Sequence, residues 1–227
     1  AEYYPVLKGA AQFLLELLVE EPVHKRLVTP FSISPEHGYF DGNGAMAFLS
    51  PAPTMDVAIM RELFPHCIEA AKILGVDAEF RDRLAAALER LPPYRINRLG
   101  HLQEWIEDWR PGDQGHDCSP NFTLYPGSSI TLRGTPELAA AIRKWMEARR
   151  SGGGWPAAWD ICVWARLERG DKVASCLRAL VRSSLAPNLH NAGSNQIDAN
   201  FGLTPRVAEA LLQSHADDIS LLPPLPA

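Results

Sequence analysis

Positive charge is in short supply. The 227 residues carry 22 Lys and Arg against 27 Asp and Glu, a net charge of −5. A broad nucleic-acid surface needs clustered cations for phosphate contacts, so no nucleic-acid partner is expected. A polybasic membrane anchor is excluded on the same ground. Long apolar runs are also missing. Residues 13–19 are apolar but short, and Glu16 interrupts them. A membrane helix needs roughly 18–20 such residues, so no membrane partner is expected. The four cysteines, Cys67, Cys118, Cys162 and Cys176, form no CxxC pair, which excludes a zinc ribbon. Low-complexity tracts are absent, and hydrophobic residues make up 46%, an ordinary globular share. No signal peptide is visible and the first residue is not Met, so an upstream segment is expected to have been removed.

What the chain has in quantity is amphipathic helix. Val6, Ala10, Phe13, Leu14, Leu17 and Leu18 share one helical face. Thr54 is placed to cap a second helix, carrying Val57, Met60, Leu63, Phe64, Cys67, Ile68, Ala71 and Leu74 up to a stop at Gly75. A third runs over about 77–91 and ends at Pro92-Pro93. Thr135-Pro136-Glu137 reads as a cap, a proline in the first turn and a carboxylate on the positive end of a fourth. Gly152 to Gly154 break the chain. Helices then follow from Trp155 to Leu167, from Asp171 to about Leu185, and from Thr204 to His215. Roughly seven helices and no alternating strand set predict an all-α chain. Cys67 and Cys162 fall inside the apolar patterns and are expected to be small buried residues.

Three long connections, 21–53, 92–134 and 186–203, interrupt the helices. They hold aromatics, histidines and carboxylates instead of Ser/Gly tracts, which favours ordered, functional loops. In the second, Gln103-Glu104-Trp105-Ile106-Glu107-Asp108-Trp109 sets acids beside two tryptophans. A carboxyl group against an indole loses solvation, which suits it to general-acid work. A tryptophan face also stacks on the apolar side of a sugar ring. The same string fits a helix end with Trp in the core and the acids in water. In the third connection, Asn195-Gln196-Ile197-Asp198-Ala199-Asn200-Phe201-Gly202 sets an acid between amides, where it could hold water or sugar hydroxyls, or simply form a turn. His116 and Cys118 have no second spaced pair, so neither a metal centre nor a cysteine nucleophile is expected. No cofactor is expected. Two carboxylates on separate loops of a helical scaffold suggest glycoside hydrolysis, which needs one protonated acid and one carboxylate.

Nine segments, in order, together resemble the family-95 glycoside hydrolases, typified by α-L-fucosidases. They are Tyr4–Phe13; Leu27-Val28-Thr29-Pro30 with Ser34-Pro35-Glu36; Pro53-Thr54-Met55-Asp56; Leu91-Pro92-Pro93-Tyr94; and Leu102-Gln103-Glu104-Trp105 with Glu107-Asp108-Trp109. The others are Leu124-Tyr125-Pro126-Gly127; Gly154-Trp155 with Trp164-Ala165-Arg166-Leu167; Gln196-Ile197-Asp198 with Asn200-Phe201-Gly202; and Leu221-Leu222-Pro223.

The resemblance implies that residues 1–227 are part of a single (α/α)6-barrel domain that inverts terminal α-L-fucosyl or α-L-galactosyl linkages. It implies Glu104 as general acid and Asp198 as general base. Glu36 is placed in the sugar pocket. Trp105, Trp109, His116 and Asn200 are candidate substrate contacts, His116-Asp117-Cys118 standing where the family has His-Arg-His. His37 stands where Ser-Pro-Glu is usually followed by Asn. The family's paired water-holding asparagines belong to a motif ahead of the matched segment, and its barrel has twelve helices. The chain is therefore expected to be the C-terminal part of such a domain. The alternatives are an impaired carbohydrate-binding remnant or an unrelated helical interaction module. Half a toroid exposes apolar faces, so self-association or a missing N-terminal segment is expected. A secreted or periplasmic location also follows from the resemblance.

Overall fold

The computed structural model describes residues 2–112, 119–149, 155–183, 186, 197–216 and 218–225. The chain divides into two compact units. One takes Ala1–Arg98 with Leu102–Asp113, the other Leu99–His101 with Gln114–Ala227.

The first unit is built on three helices, α1 (Tyr4–Leu17), α2 (Thr54–Leu74) and α3 (Ala78–Arg90). Their apolar faces close over Ala11, Val57, Met60, Phe64, Cys67, Phe80, Leu84 and Ala87, with Val28, Ala52 and Leu91 completing the core. Gly75 ends α2 at φ +67°, donating its N–H to the carbonyls of Ala71 and Lys72, as the sequence predicts. Thr54 is not the cap. It is the first helical residue, after Pro53, and its hydroxyl is used elsewhere.

A polar clip joins α1 to the α2–α3 turn. Asp77, at φ +54°, accepts from Tyr4 Oη and Lys8 Nζ, both at 2.7 Å. Lys8 and then Tyr4 hold its carboxyl below the usual carboxylate range. A depressed folded-state pKa stabilises the fold above the unfolded value and loses that contribution as pH falls through the folded one. Titration from pH 7 is therefore expected to weaken the docking of α1 progressively below about pH 4. Circular dichroism of Asp77→Asn should show a flatter acid limb than the wild type.

Short strands order the first long connection. β1 (Val19–Glu20) pairs antiparallel with β2 (Leu27–Val28), and β3 (Ser32–Ile33) pairs with β6 (Leu49–Ser50). Between these, β4 (Tyr39–Phe40) is the middle strand, with β5 (Met46–Ala47) on one side and β7 (Arg110–Pro111) on the other. The β4–β5 turn is held by the Asp41 carboxylate, which accepts from the N–H groups of Asn43 (2.9 Å) and Ala45 (2.8 Å). The chain is therefore helix-dominated, with two-residue strands that the all-α reading did not anticipate.

In the second unit, α5 (Trp155–Arg166) is the central element. Its residues from Asp160 to Arg166 are buried, and it packs against α6 (Gly170–Ser183), α7 (Asp198–Phe201) and α8 (Leu203–Leu211). The helix α4 (Pro136–Ala148) precedes it, burying Ala139, Ala141, Ile142 and Met146. Thr135 does occupy the cap position of α4. Its side chain, however, bonds back to Thr131 and makes no cap to the helix. After α8 the chain turns into β8 (Leu212–Gln213), paired with β9 (Ser220–Leu221), so the final helix stops at Leu211, short of His215.

Cys67 and Cys162 are buried free thiols, and burial pushes the Cys162 thiol up to about 11. Cys118 lies outside the described residues. Among the described residues no helix is long and apolar enough to cross a membrane, and no group of His, Cys, Asp or Glu could hold a metal ion.

Candidate active site

Glu104 sits on a segment anchored from behind by the start of α2. Thr54 Oγ1 donates to the carbonyl of Gln103 at 2.6 Å, and Thr54 N donates to that of Glu104 at 2.8 Å. Gln103 is buried, and its amide donates to the carbonyls of Trp105 (2.9 Å) and Ile106 (3.1 Å). Its own N–H bonds Arg95 O at 2.9 Å. A helix N-terminus and a side-chain amide thus fix the backbone on both sides of the carboxylate. That rigidity is what a positioned catalytic group requires.

The carboxyl group itself is buried, 8% exposed, and it meets two polar side chains from one tight turn. Ser34 Oγ donates to Glu104 Oε1 at 2.5 Å. His37 Nδ1 lies 2.8 Å from both Oε1 and Oε2. The turn is Ser34-Pro35-Glu36-His37. Its closing bond runs from His37 N to Ser34 O at 2.9 Å, and Glu36 sits at φ +60°. Proline at the second position and positive φ at the third mark a type II turn, a place where glycine or asparagine is usual. A glutamate held there is strained by about 1–2 kcal/mol. The turn sends the Ser34 and His37 side chains to Glu104 while leaving Glu36 exposed.

Aromatic rings wall this cluster. Trp105, 4% exposed, packs on the His37 ring at 5.1 Å and on Tyr39 at 5.2 Å. Tyr39 stacks on Trp109 at 4.1 Å and 6°, and its hydroxyl donates to Leu49 O at 2.7 Å. The β4–β7 pairing brings these rings together, because it lays the end of the Glu104 segment along the strand that follows His37. The two tryptophans expected to shape a sugar pocket therefore have different settings. Trp105 is a buried wall behind the acid, whereas Trp109 is half-buried with one face covered by Tyr39. Of the outlying acids in this segment, Glu107 pairs with His24 at 2.8 Å and Asp108 with Arg98 at 3.1 Å.

Asp198 belongs to the second unit. It opens α7, a single turn, with its side chain exposed. The turn is anchored beneath it by buried Ala199, whose carbonyl accepts from Arg206 Nη2 at 3.1 Å. Gly202 is needed for close approach. A Cβ there would lie 2.7 Å from Ala158 Cβ on α5 and 2.9 Å from Arg206 Nη2. Asn200 is half-buried on the same turn. His116 lies outside the described residues, as does Asn195.

Of this cluster, sequence reasoning missed Tyr39 and saw Ser34 and His37 only as parts of the Ser-Pro-Glu-His string, with no link to Glu104. The proline-containing turn was visible, but its target lies 67 residues beyond His37.

The first unit thus holds a buried carboxyl group contacted by Ser34 and His37 and walled by aromatic rings, and the second holds an exposed acid on its own anchored turn. Comparison with known proteins gives the family. Residues 1–211 match the glycosyl hydrolase family 95 catalytic domain. The chain is 36% identical, over 99% of its length, to "Alpha-L-fucosidase 2" of Arabidopsis thaliana, covering 28% of that protein. It is 30% identical, again over 99% of its length, to "Probable alpha-fucosidase A" of Aspergillus niger, covering 31% of that protein. The chain belongs to glycosyl hydrolase family 95. It spans less than a third of the length of either curated relative.

Proposed function

We propose that this chain contributes to hydrolysis of terminal α-L-fucosyl, or related α-L-galactosyl, linkages in a glycan substrate, with inversion at the anomeric carbon. The family assignment supports the reaction class, and the two relatives' names support fucose as the sugar. The observation that carries the site is Glu104, a buried carboxyl group with Ser34 and His37 converging on it. A general acid must hold its proton at one fixed point and be shielded from bulk water until the leaving oxygen arrives. The Thr54 and Gln103 anchors supply the fixed point, and Trp105 and Tyr39 supply the shielding.

In this reading Glu104 protonates the departing glycosidic oxygen as the C1–O bond breaks. Asp198 takes a proton from the water whose oxygen bonds C1. The cycle closes when Asp198 releases its proton to solvent and Glu104 takes one up, so the net reaction is addition of one water across the bond. Glu36, exposed on its strained turn, contacts sugar hydroxyls, and Trp109, Asn200 and His116 are further substrate contacts. Trp105 supports the acid from behind. The scaffold is read as part of an (α/α)6 barrel, and all 227 residues are assigned to it.

The experiment is hydrolysis of an aryl α-L-fucoside by the 227-residue chain and by any longer natural chain that contains it. Asp198→Asn is expected to lower kcat by roughly 10²–10⁴-fold, the share general acid–base transfer contributes. Its circular dichroism should be unchanged, because the Asp198 side chain is exposed. An Asp198→Asn protein with wild-type turnover would remove Asp198 from the mechanism. Binding of L-fucose with no turnover in any of these chains would favour the carbohydrate-binding reading.

A further inference from the structure

The turn that meets Glu104 brings a residue whose role can be inferred from its atoms. Oε1 of Glu104 is approached by Ser34 Oγ at 2.5 Å and by His37 Nδ1 at 2.8 Å, and Nδ1 is equally close to Oε2. Ser34 and His37 come from the two ends of one closed turn, and both are buried, at 0% and 6% exposed. A hydroxyl and an imidazole N–H are both donors. Ser34 Oγ donates to Oε1, and Nδ1, midway between the two oxygens, is placed to donate to the carboxyl group as a whole.

The geometry points to His37 as a positioning residue for the general acid. Its Nδ1–H, together with the Ser34 hydroxyl, holds the Glu104 carboxyl group in one orientation and stabilises the carboxylate that forms when its proton leaves. This inference rests on the reading of Glu104 as the acid. The physical reason is that negative charge develops on Glu104 only as the glycosidic bond breaks. Fixed donors aimed at that charge act more strongly in the transition state than in the ground state. In this role the imidazole carries its proton on Nδ1, the tautomer that donates to Glu104. The Trp105 ring, 5.1 Å from the imidazole, packs against it and limits its rotation.

The step that His37 assists is proton donation to the leaving oxygen, so the test varies the leaving group. A poor leaving group, as in an alkyl α-L-fucoside, needs the proton; fluoride, in α-L-fucosyl fluoride, needs it far less. His37→Leu keeps a similar volume and removes the donor. It is expected to slow the alkyl fucoside on the order of 10²-fold and the fluoride much less. His37→Asn sets an amide N–H close to where Nδ1 stood and is expected to recover most of the loss. Equal losses on both substrates in His37→Leu, or no recovery in His37→Asn, would overturn the role.

Glu104→Gln on the same two substrates separates this inference from the reading beneath it. If Glu104→Gln slows both substrates equally, the acid assignment fails. If it slows the alkyl fucoside selectively while His37→Leu does not, only the role of His37 fails. A second measurement needs no turnover. In the 15N-histidine-labelled chain, His37 should show a proton on Nδ1, and its signals should shift in Glu104→Gln. A bare Nδ1 with the proton on Nε2 would overturn the inference.

Discussion

Glu104→Gln is expected to reduce hydrolysis of a 4-nitrophenyl α-L-fucoside by roughly 10²–10⁴-fold while leaving the fold in place. The amide is nearly isosteric with the acid, and its oxygen can accept from Ser34 Oγ as Glu104 Oε1 does. Thr54 and Gln103 hold this segment through backbone carbonyls, which the substitution does not touch. On the role proposed for Glu104, loss of its proton is then the dominant change. Thermal melting should move little, whereas kcat should collapse. A variant that melts well below the wild type would show that Glu104 is chiefly a structural partner of the Ser34–His37 turn. A variant with wild-type kcat would show that the proton comes from elsewhere.

Glu209→Ala is expected to destabilise the second unit strongly. Arg166, at the end of α5, is 8% exposed and its Nε donates to the Glu209 carboxylate from α8. Its Nη1 donates to the carbonyls of Leu124 (3.2 Å) and Gly127 (3.3 Å), and its guanidinium lies over the Tyr125 ring. One cation thus ties together two helices and the 124–127 loop. Trp159 reinforces the same loop by donating to Tyr125 O at 2.7 Å. Removing the carboxylate leaves a buried guanidinium with only carbonyl partners, which costs about 3–5 kcal/mol. For a protein of this size that is a fall in Tm of roughly 10 °C, measurable by calorimetry. Glu209→Gln, which keeps an acceptor, should fall less. A Glu209→Ala protein with an unchanged melting curve would mean that water replaces the carboxylate freely.

The Arg166 cluster also shows what a sequence can and cannot reveal. Leu124-Tyr125-Pro126-Gly127 and Trp164-Ala165-Arg166-Leu167 were legible as strings, but not as two halves of one contact. The helices were legible because their signals are local. A 3.6-residue apolar period and a left-handed stop at Gly75 are written within a few residues of the structure they cause. Caps were less so. Thr54 and Thr135 fit the cap pattern, yet both hydroxyls bond elsewhere, Thr54 to Gln103 and Thr135 to Thr131. A hydroxyl takes whichever partner the tertiary structure brings, and no local rule foresees it. The short strands escaped for a different reason. A two-residue strand has no alternation to detect, and its partner can be distant, as Tyr39 and Phe40 are from Pro111 and Arg110.

The candidate site divides along the same line. Glu104 and Asp198 were reached because acids beside tryptophans and acids between amides are unusual strings, and because the ordered motifs resemble a known family. Trp105 was expected as a stacking surface. Its burial beneath His37 and Tyr39 follows from the β4–β7 pairing, which no periodicity announced. His37 was visible only as an unusual residue after Ser-Pro-Glu. Its meaning appears once the turn closes and carries Nδ1 to the Glu104 carboxyl group.

The stereochemistry of the released sugar tests the central claim most directly. Hydrolysis of an aryl α-L-fucoside in an NMR tube, followed before mutarotation equilibrates the anomers, distinguishes the two carboxylate mechanisms. The account predicts β-L-fucose first, with that signal lost in both Glu104→Gln and Asp198→Asn. Release of α-L-fucose first, or release that survives both substitutions, would contradict it.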